Sequence, residues 1–259
     1  MRGFASILLT SFAVVFSGCG GSGSGTMATN SPPSYPTITG NWALTASSQV
    51  TKLNYQMGGY ITNTNGDVSG TLHLLNSGCF TPMQDIPITG TVSTAGAVSA
   101  TSSAVSSQVV TISGTVASGA LSSGTYSIKG GCGNGDSGTV TGFIAPPYSN
   151  TYSGTLLSVS KISISTTITT SQSGPDTDGL YHVSGTATFS GSPCFASGTI
   201  TGSDIAGAYM AVTITANDGS SVVFGGYITD STGKTISGDY QVTGGKCSGD
   251  YGTGSVSHS

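Results

Sequence analysis

One cysteine pattern occurs twice in this chain. Val68-Ser-Gly-Thr71 lies eleven residues before Cys79, and Val183-Ser-Gly-Thr186 lies eleven before Cys194; a Phe follows each cysteine, at Phe80 and Phe195. Further on, Ser123-Gly-Thr-Tyr126 leads to Gly130-Gly131-Cys132, and Ser237-Gly-Asp-Tyr240 leads to Gly244-Gly245-Lys246-Cys247. The two cysteines of each copy are 53 positions apart. A duplication of this kind restricts the chain to two versions of one fold, each closing its own core within about 110 residues. A Pro pair ends strands, so the junction falls at Ala145-Pro-Pro-Tyr148 and the copies run over residues 37–146 and 147–259. The equal spacing predicts one disulfide within each copy, Cys79 with Cys132 and Cys194 with Cys247. Each would close a loop of about 50 residues, worth roughly 4 kcal/mol in the chain-entropy account.

The hydrophobic period inside each copy is two. Residues 108–116, 162–168 and 209–215 alternate and are rich in β-branched side chains, which predicts strands. Turn signals separate such runs: Asn65-Gly66, Asn217-Asp-Gly219 and Asp230-Ser-Thr-Gly233. Seven or eight short strands per copy, joined by tight turns, predict an antiparallel meander. The expected fold is therefore all-β: two tandem small up-and-down β-barrels, with β-sandwiches as the alternative and one disulfide in each domain. A membrane-spanning barrel is disfavoured, because the strands are short and the chain ends Ser-Val-Ser-His-Ser259 rather than on an aromatic residue.

Composition decides how these strands stay in water. Gly, Ser and Thr number 41, 44 and 38 of 259 residues, while charged residues are only 6%. Polar strand faces are thus hydroxylated rather than charged. Glu is absent, the ten acids are all Asp, and Arg2 is the only Arg. Scarce helix formers argue against a bundle. Scarce cations argue against nucleic acid, whose phosphates need Lys and Arg.

The first 18 residues read as an export signal. Arg2 supplies positive charge, and the apolar run over residues 4–16 is too short to span a bilayer, which needs about 20 residues. Phe16-Ser17-Gly18-Cys19 resembles the lipobox of bacterial lipoproteins. That resemblance implies a diacylglyceryl group on Cys19, an N-terminus at Cys19 after cleavage, and attachment to the membrane by this lipid. Gly20 after the Cys implies release to the outer membrane where the cell has one. Residues 19–36 then form a Gly/Ser/Pro-rich tether. The alternative is an ordinary secretory signal cut elsewhere.

Candidate chemistry is sparse. Gly135-Asp136-Ser137-Gly138 is similar to the nucleophile motif of trypsin-like serine proteases, and His73 and Asp85 precede it in the order that family uses. The surroundings of His73 differ, Thr139 replaces an expected Gly, and a tight turn after Cys132 explains the four residues. Asp176-Thr-Asp178-Gly179 resembles the start of a calcium loop, but no Glu exists to complete it, so Asp176 and Asp178 are the only metal candidates and a solvated turn is expected. The histidines His73, His182 and His258 do not align between copies, and no Cys-x-x-Cys pair is present. No cofactor is expected. Gly40-Asn41-Trp42 resembles the Gly-x-Trp that opens the first strand of lipocalins. That resemblance implies a barrel holding an apolar ligand, with Trp42 and the aromatics Tyr126, Tyr152 and Tyr240 as candidate ligand contacts; the alternative is that Trp42 packs in the core.

Two functions fit these features. The first is a non-enzymatic, lipid-anchored envelope protein acting as a surface interaction or structural module with an envelope partner. The second is a binding module for a small apolar ligand or a glycan. A pocket of a few hundred Å³ lined by Trp42 or Tyr residues decides between them, because a solidly filled barrel leaves no room for a ligand.

Overall fold

The structure, a computed structural model, describes residues 32–228 and 231–259. The expected signal peptide, Cys19 and the tether up to residue 31 lie outside the described residues, as does Asp230 of the expected Asp230–Gly233 turn.

Alternation and turn chemistry produce strands throughout, and there is no helix among the described residues. The first eight strands are β1 (Gly40–Ser48), β2 (Asn54–Thr64), β3 (Asp67–Leu74), β4 (Gln84–Val92), β5 (Ala97–Ser102), β6 (Val109–Ala117), β7 (Ala120–Lys129) and β8 (Ser137–Ile144). The second eight are β9 (Thr151–Ser158), β10 (Ser163–Gln172), β11 (Val183–Ser190), β12 (Ser197–Ala206), β13 (Tyr209–Ala216), β14 (Ser221–Ile228), β15 (Thr235–Thr243) and β16 (Tyr251–Ser257). Within each set of eight, consecutive strands pair antiparallel, and the last strand closes on the first. The β1–β8 pair closes barrel 1 with Ser48 opposite Gly138, and β9–β16 closes barrel 2 with Ser158 opposite Gly252. Closure into two up-and-down barrels decides against sandwiches.

Turn chemistry acts as the dipeptides predict. Asn65 and Gly66 have φ of 54° and 97°, and positive φ at both central residues is what a two-residue hairpin turn of matching twist requires. Along β10, Ile164, Thr166, Ile168 and Thr170 point inward while Ser163, Ser165, Thr167 and Thr169 face out or lie half-buried. Outward Ser and Thr reverse the pattern of a membrane-spanning barrel, whose lipid-facing residues are apolar. No helix among the described residues is long and apolar enough to cross a membrane.

Each barrel has two distinct ends. The β1–β2 hairpin, the β3–β4 loop with Cys79 and the β7–β8 turn with Cys132 gather at one end of barrel 1. The equivalent end of barrel 2 carries Cys194 and Cys247. Cys79 is bonded to Cys132 and Cys194 to Cys247, with Cα–Cα distances of 5.4 and 6.0 Å, so each bond ties two neighbouring loops at this disulfide end.

Residues 33–259 form one compact unit. The opposite end of barrel 2 seats its turns against the β1–β3 wall of barrel 1. Asn41 Nδ2 donates to Gly207 O (3.0 Å) and Gly207 N donates to Asn41 Oδ1 (2.7 Å), so one side chain satisfies both backbone groups of the β12–β13 turn. Gly58 lies beneath that turn, where a Cβ would stand 2.2 Å from Ala206 O. Tyr148 OH donates to Ala208 O (2.8 Å), and Tyr60 meets Tyr181 edge-on with centroids 5.9 Å apart.

Candidate functional site

The interior of barrel 1 divides into a filled half and an open half. At the filled end Trp42 is 2% exposed and its Nε1 donates to Ile38 O (2.6 Å), capping the bore. Only about 40 Å³ of void remains there, lined by Trp42, Leu72, Ile88 and their neighbours. At the disulfide end a cavity of about 440 Å³ opens to solvent. Ala46, Met57, Leu74, Ile86, Val110 and Ile128 supply its apolar wall; Asn54, Asn76 and Asn134 stand at its rim. That volume lies in the range of small-molecule sites, roughly 300–1,000 Å³.

Two devices hold the mouth open. Asp136 is buried at the base of the β7–β8 turn, and Ser48 Oγ donates to its Oδ1 (2.6 Å) while Tyr126 OH donates to its Oδ2 (3.2 Å). Ser48 Oγ in turn accepts from Val50 N (3.1 Å) and Thr51 N (2.8 Å), so the carboxylate is linked through one hydroxyl to the β1–β2 hairpin. Burial, with the Asp136 charge beside it, pushes the Tyr126 hydroxyl up to about 12, which keeps it a donor at neutral pH. The second device is Gln108, which is fully buried. Its Nε2 donates to Cys79 O (2.9 Å) and its Oε1 accepts from Gly133 N (2.7 Å), bracing the loops that the disulfide joins.

Barrel 2 repeats the first device. Ser158 Oγ donates to Asp250 Oδ1 (2.5 Å), Tyr240 OH donates to Asp250 Oδ2 (3.0 Å), and burial pushes Tyr240 up to about 12. What barrel 2 lacks is the cavity. Ser48 and Ser158 share a register, so Ala46 corresponds to Leu156; Leu74 and Phe189 each precede their loop cysteine by five positions. The larger residues fill the space, and Phe189 packs edge-on against Phe195 at 4.9 Å between centroids. A depression of about 280 Å³ remains at its rim.

Of the four aromatics singled out in the sequence, Tyr126 alone lines the large cavity. Trp42 caps the other end. Tyr152 is buried against His258, with centroids 5.2 Å apart, and Tyr240 serves the Asp250 network. Asp136, Ser48 and Gln108 escape residue-type reasoning. A usable signal was present in the shared Gly-Asp-x-Gly after each second cysteine, Gly135–Gly138 and Gly249–Gly252.

The protease-like residues are not assembled. His73 is fully buried between the barrels, its Nε2 3.1 Å from Asp178 O. Its Nδ1 lies 3.1 Å from Asp85 Oδ1 but off the line of a hydrogen bond. Ser137 is on β8, separated from β3 by the two strands β1 and β2, and pairs with Ser127. Asp176 behaves as a turn residue: its Oδ1 accepts from Asp178 N and Leu180 N, both at 2.9 Å, and its Oδ2 meets His182 Nε2 at 2.9 Å. Among the described residues no three His, Cys or Asp side chains are grouped to hold a metal.

No family model matches the chain, and no curated protein does. Among solved structures, it is similar to a protein of unknown function of the DUF3598 family from Nostoc punctiforme, at 10% identity and a TM-score of 0.26, over 85% of this chain and 96% of that one. A likeness that low carries no argument about this chain.

Proposed function

We propose that this is an exported, lipid-anchored envelope protein whose first barrel is a non-enzymatic binding module for a small apolar molecule and whose second barrel is a filled scaffold. The observation that carries the reading is the open 440 Å³ apolar cavity in barrel 1, set against its loss in barrel 2 by Leu156 and Phe189. Inside it, both oxygens of Asp136 already accept hydrogen bonds from the protein, so the wall asks for no polar partner. An apolar body with its polar end at the asparagine rim satisfies both regions. Two disulfides support export, since such bonds persist in oxidising compartments.

Ala46→Leu gives barrel 1 the residue that barrel 2 carries at that position. Titration with the fluorescent probe N-phenyl-1-naphthylamine should show saturable binding to the natural chain, weakened at least about tenfold by Ala46→Leu with the melting temperature kept or raised. Equal binding by both proteins, or none by either, would overturn the reading. The lipid anchor is tested separately: metabolic palmitate labelling should disappear in Cys19→Ala, and label that survives the substitution refutes attachment there.

A further inference from the structure

Exposed apolar surface is confined to particular parts of this molecule. In barrel 1 the large exposed hydrophobics among the described residues are Val50 and Leu53, 62% and 60% exposed at the tip of the β1–β2 hairpin beside the cavity mouth. In barrel 2 the β9–β10 hairpin bears Val159 and Ile162, and the rest, Leu157, Val223 and Tyr251, lie within three residues of the same end of their strands. The lysines follow them. Lys52 and Lys129 sit at the disulfide end of barrel 1, Lys161 and Lys246 at that of barrel 2, and only Lys234 lies elsewhere.

The two hairpins spell the same device: Val50-Thr-Lys52-Leu53 and Val159-Ser-Lys161-Ile162. Lys52 has φ 63° and Lys161 φ 65°, a left-handed conformation in which Gly or Asn is less strained. A cation is therefore placed between two exposed apolar side chains at a backbone position that disfavours it, in both copies. At the barrel 1 end Asp136 is committed to Ser48 and Tyr126, while Asp85, 54% exposed, lies 3.1 Å from His73 Nδ1.

We propose that the disulfide end of barrel 1 docks on an anionic phospholipid surface, with Val50 and Leu53 entering the headgroup boundary, Lys52 and Lys129 against phosphates, and the cavity mouth opening into that layer. Apolar side chains interleaved with cations are the chemistry of interfacial lipid binding. It also gives the site an occupant, since an apolar molecule dissolved in the bilayer reaches the cavity without crossing water. The chain enters barrel 1 at the opposite end, where Trp42 holds Ile38. Residues 19–36 reach at most about 60 Å, twice the roughly 30 Å length of a nine-residue strand such as β1. The mouth can thus turn to the bilayer that holds the anchor. The barrel 2 hairpin supplies a second contact of the same kind.

Docking is measured by co-sedimentation of the full chain carrying Cys19→Ala, which removes any lipid attached there. Vesicles are equal parts phosphatidylglycerol and phosphatidylcholine, or phosphatidylcholine alone. Binding is expected on the anionic vesicles, at least about tenfold weaker on the neutral ones and at about 1 M salt, where the Debye length falls to about 3 Å. Lys52→Glu should weaken it roughly fivefold or more. Val50→Asp with Leu53→Asp should abolish most of it at unchanged melting temperature, and adding Val159→Asp with Ile162→Asp should remove the remainder. No binding to anionic vesicles, or equal binding by the hairpin variants, overturns the proposal. So does a hairpin substitution whose sole effect is to dissociate a dimer, which would make a second copy the partner. Ala46→Leu should keep vesicle binding while losing the probe, so failure of docking and failure of the cavity are read separately.

Discussion

Asp136 and Asp250 show how a single carboxylate organises the end of a barrel. Each takes one hydroxyl from a strand-ending serine and one from an inward-facing tyrosine, and hydrogen bonds to a charged group contribute about 1.5–3 kcal/mol each. The hydroxyl of Ser48 then fixes the hairpin tip. A second residue-scale arrangement titrates. His182 has Ser203 O on one ring nitrogen and Asp176 on the other, and Asp204 is near; these acceptors raise its pKa from 6.5. Slight burial works against ionisation of Asp176, but His182 and two backbone N–H groups hold its carboxyl below 3.8 all the same. The raised His contributes stability fully below about 6.5 that is lost as pH rises through its folded value, and the lowered Asp contributes stability above about 3.8 that is lost as pH falls. Thermal melts against pH should therefore show the natural chain exceeding His182→Gln most between pH 4 and 6.5, the gap closing on both sides. Because His182 is 40% exposed the gap should be small, and a gap that widens above pH 8 would contradict the assignment.

At the scale of elements, most of the fold was legible. The alternation over 108–116, 162–168 and 209–215 corresponds to β6, β10 and β13 within a few residues, because alternating β-branched residues fit one buried and one wet face. The Asn-Gly turn and the equal cysteine spacing were equally direct. Less of the site could be read. Its defining residue is Ala46, a small side chain whose meaning appears only when closure of β1 on β8 sets it level with Leu156 on β9. A sequence displays what residues are present, and a cavity is made by what is absent. The aromatics drew attention instead, yet Trp42, Tyr152 and Tyr240 are buried in the packing, and of the four only Tyr126 lines the 440 Å³ cavity. The hairpin device was hidden for a different reason: an extra Gln49 in copy one shifts Val50-Thr-Lys52-Leu53 out of simple alignment with Val159-Ser-Lys161-Ile162.

At the scale of the whole molecule the duplication raises a question that pairing within copies leaves open: whether two barrels with separate cores unfold separately. The contact between them is specific. Asn41 satisfies both backbone groups of Gly207, whose φ of 60° leaves no room for a side chain, since a Cβ would stand 2.4 Å from Trp42 O. His73 is sealed beneath the β10–β11 turn at Asp178. Truncating Asn41→Ala strands a buried donor and acceptor, each costing about 1–3 kcal/mol. For a chain of this size that lowers the melting temperature by roughly 5–15 °C. Calorimetry of the natural chain should give one transition, because the interface couples the barrels; Asn41→Ala should broaden it, and Gly58→Val, which drives a side chain into Ala206, should split it in two. The disulfide in each barrel keeps both halves foldable after the split, so two resolved peaks rather than general collapse are the expected result. Two peaks already present in the natural chain would show instead that the barrels are independent and that the Asn41–Gly207 contact merely orients them.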